Sequence, residues 1–141
     1  LSQPELRDLC LRLSKFKKEN KELLSYLLFD SSNEINYIEN IKNEVIEEFT
    51  QINRKSNYYI NKSSRKILRT LKKYIRYSTK KETEVELLIF FCSELNSNGL
   101  ISQNNIPLLN LYKRHIETIR KKISDLHEDL QYDYERELNE L

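Results

Sequence analysis

Two groups of carboxylates come closest to the spacing of a catalytic site. Glu44, Glu47 and Glu48 form a Glu-x-x-Glu pattern, and a second acidic group lies within residues 125–129. All-α nucleoside triphosphate pyrophosphohydrolases hold Mg²⁺ with such carboxylates from adjacent helices. That chemistry needs side chains directed into the bundle, whereas Glu44 and Glu47 fall opposite the apolar stripe of their own helix. We therefore predict no catalytic or metal-ligating residue and keep such a hydrolase only as a distant alternative.

The remaining residues that carry chemistry are few. His115 and His127 are twelve residues apart, so they cannot share a metal within one helix. Cys10 and Cys92 form no Cys-x-x-Cys pair and are predicted to be buried, reduced thiols of a cytoplasmic protein. With a single glycine, Gly99, the chain cannot form a glycine-rich phosphate loop. We expect no cofactor and an activity that is not enzymatic.

The charges are segregated along the chain. Residues 49–81 contain eleven basic and no acidic side chains, whereas residues 1–48 and 82–141 have net charges of −3 and −6, giving a total of +2. In the segment 62–76 the basic side chains cover an arc of about 120° opposite the apolar stripe. This basic face consists of Lys62, Arg65, Lys66, Arg69, Lys72, Lys73 and Arg76.

Like charges four residues apart on a helix each cost roughly 0.2–0.5 kcal/mol, so the basic face indicates an anionic partner. One candidate is the acidic segment 125–140 of this chain or of a second copy. Another is nucleic acid, with Tyr58, Tyr59 and Tyr77 as stacking surfaces. The third alternative is a face covered only by solvent and salt.

The apolar spacing predicts helices throughout. No helix breaker lies between Glu5 and Phe29, so this segment is either one long helix or two, opened by a capping box of Ser2 and Glu5. Its apolar stripe consists of Leu6, Leu9, Leu13, Phe16, Leu23 and Leu27. Further helices are predicted over residues 34–53, 58–77 and 82–96.

The caps of the last two helices can also be predicted. Thr79 and Glu82 form a second capping box, and Gly99 ends the helix that they open. This helix is apolar on most sides, so it should be central in the fold. Pro107 suits the first turn of the last helix.

The last helix has a regular apolar stripe. If it continued unbroken to Leu141 it would be about 50 Å long, and such an overhang usually packs on another chain. We therefore expect a homodimer through this stripe, which consists of Leu109, Tyr112, Ile116, Ile119, Ile123, Leu126 and Leu130.

These elements predict a single all-α domain over residues 1–141. It contains five or six helices, arranged as a helical bundle or a short α-solenoid, with a long C-terminal helix. No apolar run is long enough to cross a membrane.

Four segments of the sequence together resemble a small, uncharacterised, all-helical bacterial family. They are Leu6–Cys10, Phe16–Leu24, Lys66–Tyr77 and Leu126–Tyr134. The resemblance covers most of the chain and implies a bacterial, cytoplasmic, all-α protein. The family has no assigned activity, so no site residue is carried over.

The sequence thus favours a helical protein–protein interaction module, with a protein partner or a second copy of the chain as its ligand. Nucleic-acid binding by the basic face is the alternative.

Overall fold

The computed structural model describes residues 1–141 and contains seven α-helices and no strand. The all-α prediction is confirmed, but the predicted number of five or six helices is wrong. The helices are α1 (Gln3–Ser14), α2 (Lys18–Ser25), α3 (Glu34–Thr50), α4 (Asn57–Ser78), α5 (Lys81–Ser97), α6 (Ile106–Ile123) and α7 (Glu128–Asn139). None of them combines the length and the apolar character that a membrane span requires.

The chain forms two compact units, Leu1–Tyr37 and Ile38–Leu141, with the boundary inside α3. In the N-terminal unit, the Ser2 hydroxyl accepts from the Glu5 amide at 3.3 Å and the Glu5 carboxylate accepts from the Ser2 amide at 3.2 Å. This reciprocal pair is the predicted capping box. The open question of one helix or two is answered by a break at residues 15–17, which separates α1 from α2.

After α2 the backbone widens into one π-helical turn, Tyr26–Asp30, in which the Ser31 amide donates to the Tyr26 carbonyl at 2.8 Å. The Tyr26 ring packs against Tyr37 with centroids 4.6 Å apart. Its hydroxyl donates to Glu34 at 2.8 Å. Tyr26 and Tyr37 are the only large apolar side chains of this unit that are buried.

Helix α5 lies at the centre of the second unit, as its sequence predicts. Val85, Leu87, Phe91 and Leu95 have no exposed surface, and α5 packs against α4, α6 and α7. The Phe91 ring also contacts Phe49 of α3, with centroids 5.9 Å apart. A helix that is apolar on most sides has to be covered on most sides, and these four neighbours cover it.

The predicted long C-terminal helix is wrong. Helix α6 ends at Ile123, and residues 124–127 form a turn in which the Leu126 amide donates to the Ile123 carbonyl at 3.0 Å. The Gln131 side chain donates to the Leu126 carbonyl at 2.7 Å. Because of this turn, α7 packs on both α5 and α6. The overhang from which the homodimer was inferred is therefore absent.

The two predicted caps around α5 have different outcomes. Thr79 does not open α5, because it ends α4 in the left-handed conformation (φ 58°), and Lys80 is the N-cap residue of α5. Gly99 does end α5 as predicted. It has φ +69°, and the Leu100 amide donates to the Leu95 carbonyl at 3.1 Å, which is the pattern of a Schellman cap.

One core position tests this packing. The Ser64 hydroxyl of α4 is buried and has no hydrogen-bond partner. Because a buried unpaired polar group costs about 1–3 kcal/mol, Ser64→Ala should raise the free energy of unfolding by about 1 kcal/mol in urea denaturation. The control is Ser63→Ala at a half-exposed position, which should change it by less than about 0.5 kcal/mol. A destabilised Ser64→Ala variant would contradict the packing of α4 described here.

Candidate functional site

The basic face lies on α4 of the second unit, in a helix that contains no acidic residue. Lys73 is half-buried, and the other six basic side chains are exposed. These six make no ion pair within the chain. The basic face has two edges, one beside the acidic side chains of α3 and one on the side of α6.

The first edge faces the acids of α3. Lys66 lines a cavity with Glu48 and Gln51. Burial raises the pKa of Glu48, the nearby Glu44 raises it further, and the positive charge of Lys66 opposes both effects. About two turns further along α4, the Tyr74 hydroxyl donates to the Glu44 carboxylate at 3.0 Å. The charge of this edge is therefore balanced in part by α3.

The second edge faces α6 and forms a groove with it. Lys62, Arg65 and Arg69 line a cavity of about 490 Å³ together with Tyr58 and Pro107. Further along, a cavity of about 350 Å³ is lined from α4 by Lys72 and Arg76. Its α6 wall consists of His115, Thr118 and Lys122. The two cavities share no lining residue but follow each other along α4. We refer to them together as the α4/α6 groove.

The positive charge of the groove comes from the side chains of α4. Its single acidic lining residue, Glu84, already pairs with Lys122 at 2.9 Å. Burial lowers the pKa of His115, and the positive charges of Lys72 and Arg114 lower it further, although its hydrogen bond to the Leu111 carbonyl opposes these effects. The α6 wall could not be found from the sequence, because His115, Thr118 and Lys122 lie far from α4 along the chain.

The acidic segment 125–140 does not neutralise the groove within the chain. Its helix, α7, packs against α5 and α6, and no ion pair joins it to α4. Two acids contact basic side chains within the segment, Glu140 with Arg136 at 3.8 Å and Asp129 with His127 at 3.5 Å. Tyr134 donates to Glu82 at 3.1 Å. The intrachain partner considered for the basic face is therefore not formed.

Of the three tyrosines predicted as stacking surfaces, two are exposed and one is buried. Tyr58 and Tyr59 are 67% and 43% exposed, and their rings pack edge to face at 5.3 Å beside the groove. Tyr77 is buried and has no surface for stacking. The prediction for Tyr77 is wrong, because it lies on the core side of α4.

The α6 stripe proposed for a dimer lies largely in the core of the second unit. Ile119 and Ile123 have no exposed surface, and Leu109 is buried too. Leu126 and Leu130, near the turn before α7, are half-buried. Tyr112 and Ile116 are also half-buried and line a cavity with Leu138 and Leu141. In this fold Ile119 and Ile123 have no surface left for a second chain.

The large apolar surface lies instead in the N-terminal unit. Eleven of the sixteen exposed large apolar side chains fall within residues 1–37. The exposed residues include all six of the apolar stripe predicted for the first segment, although the break at residues 15–17 divides them among α1, the break, α2 and the π-helical turn. We call them together the N-terminal apolar face: Leu6, Leu9, Leu13, Phe16, Leu23 and Leu27. The sequence pattern identified these residues but gave no sign that the chain leaves them uncovered.

The two groups of carboxylates singled out in the sequence lie on different elements, one on α3 and one around the start of α7, and His115 lies on α6. Glu44 and Glu47 are exposed, as their position opposite the stripe predicted. His127 lies in the turn before α7 and accepts a hydrogen bond from the Asp129 amide at 3.3 Å. No cluster of three or more His, Cys, Asp or Glu side chains has the arrangement of a metal site.

The chain matches no protein-family model, no curated protein and no solved structure.

The two cysteines differ from the prediction of two buried thiols, since Cys10 is exposed and only Cys92 is buried. Burial raises the pKa of the Cys92 thiol to about 12. Because the thiolate is the reactive form, a thiol reagent at neutral pH should modify one cysteine per native chain and both after unfolding. Mass spectrometry should place the first label on Cys10. Equal labelling of Cys92 in the native protein would contradict its position in the core.

Proposed function

We propose that this protein is a helical interaction module whose N-terminal apolar face associates with the same face of a second copy. The observation that carries the proposal is the exposure of all six residues of this face, between 36% for Leu23 and 81% for Phe16. Exposed apolar patches of more than a few hundred Å² are typical of interaction sites.

The small core of the N-terminal unit supports the proposal. Its large apolar side chains are mostly exposed, and only Tyr26 and Tyr37 are buried. Units of this size rarely bury enough apolar surface to be stable alone. Covering the face would supply the missing burial at about 25 cal/mol per Å² of apolar surface.

The charges of α1 suit a symmetric pairing. Glu5 and Asp8 are balanced by Arg7 and Arg12, and Arg12 lies in the last turn of α1 while Glu5 lies in the first. In an antiparallel pair of α1 helices, which a twofold axis permits, Glu5 of each copy lies near Arg12 of the other. Because the charges of α1 balance within each copy, the pairing does not need a partner of opposite net charge.

The exposed apolar side chains also provide contact area for a dimer. The six side chains, with the adjacent exposed Leu28 and Phe29, offer apolar surface on the order of several hundred Å². A standard interface buries about 800 Å² on each partner, so a dimer of that size would also bury polar residues around these side chains.

The test is sedimentation velocity over a concentration series up to tens of micromolar. The wild-type chain should form a dimer, and Leu9→Asp should raise the dissociation constant at least about tenfold, as expected for a central interface position. The matched control is Leu11→Asp, because Leu11 has similar exposure (44% against 47% for Leu9). It lies about 160° around the helix from Leu9, so its effect should be small.

Both variants should leave the unfolding of the second unit unchanged, which circular dichroism can check. A wild-type chain that stays monomeric at the highest concentration would contradict the proposal. Equal weakening by the two variants would contradict the assignment to this face.

A further inference from the structure

We propose that the α4/α6 groove binds the backbone of a single-stranded nucleic acid. The inference is independent of the proposed self-association, because every residue of the groove lies in the second unit.

The first support is the spacing of the groove cations. Lys62, Arg65, Arg69, Lys72 and Arg76 follow one another at intervals of three and four residues, so they form a single row along α4. The row is about 21 Å long, which spans several phosphates. Lys122 of α6 lines the cavity of Lys72 and Arg76 but is already paired with Glu84, so it is not counted in this row.

The second support is the absence of an anion within the chain for this row. None of its five cations makes an ion pair. The like charges at positions 65 and 69, and at 72 and 76, repel each other at i,i+4 distance. A bound polyanion would remove that repulsion and release its own counterions.

The third support is aromatic surface at one end of the row. Tyr58 lines the same cavity as Lys62, Arg65 and Arg69, and its ring is 67% exposed. A cationic groove that follows a backbone, with an aromatic ring on which a base can stack, is the usual combination in single-strand binding. A duplex keeps its bases stacked and has no use for such a ring.

The experiment is fluorescence anisotropy with a labelled oligothymidylate of about twenty nucleotides at about 50 and 200 mM salt. Arg65→Gln with Arg69→Gln should weaken binding at least tenfold and lower the slope of log affinity against log salt by about 0.7 for each cation lost. The control is Lys66→Gln with Lys73→Gln, which removes the same charge from side chains of α4 that do not line the groove. It should change the affinity much less.

Tyr58→Leu separates stacking from charge. It should weaken binding about fivefold or more while leaving the salt slope unchanged. An unchanged affinity would overturn the stacking contact and, with it, the assignment to a single strand.

The remaining outcomes are also decisive. Absence of binding at the lower salt, or equal loss in the two double variants, would overturn the groove as a nucleic-acid site. Tighter binding of a duplex of the same length would overturn the single-stranded ligand. Equal competition by poly-glutamate would indicate an acidic protein surface instead. Sedimentation of the same variants shows whether self-association is intact, so failure of the groove and failure of the dimer can be distinguished.

Discussion

The burial of α5 is the constraint on which the rest of the second unit depends. Phe91 and Leu95 have no exposed surface, and a helix that is apolar on most sides cannot be stable at a surface. It is covered by α4, α6 and α7 together with Phe49 of α3. Helices α4 and α6 are held beside each other because both pack on α5, and this places the cations of two distant segments along one groove.

The same packing determines how the charge of α4 is shared. Burial of its apolar side against the core directs the basic side chains outward in an arc with two edges. One edge lies beside Glu44 and Glu48 of α3, where Lys66 opposes the rise in the pKa of Glu48. The other edge lies near α6, whose Lys122 already pairs with Glu84. The cations of α4 on this edge therefore have no acid of the chain to balance them.

Much of the architecture could be predicted from local signals. The Ser2–Glu5 capping box, the Gly99 cap and the central position of α5 depend on residues within one helix and its ends.

Other features depend on contacts between residues that are distant in the sequence. Thr79 ends α4 instead of opening α5, and the stripe through Leu126 continues across a turn that lets α7 pack on α5 and α6. Apolar spacing shows which residues prefer burial, but it cannot show that Ile119 is covered while Leu9 is exposed. Likewise, the sequence located the cations of α4 but not the α6 wall that completes the groove.

The two units therefore differ in how they are stabilised, the second by a core around α5 and the first by very little burial of its own. Native-state hydrogen exchange in dilute solution measures this difference most directly, because amides in a buried helix exchange only when the whole unit unfolds. Residues 85–95 of α5 should be the slowest to exchange in the chain, and α1 and α2 should exchange much faster. Amides of α5 that exchange as fast as those of α1 would contradict the central role of this helix.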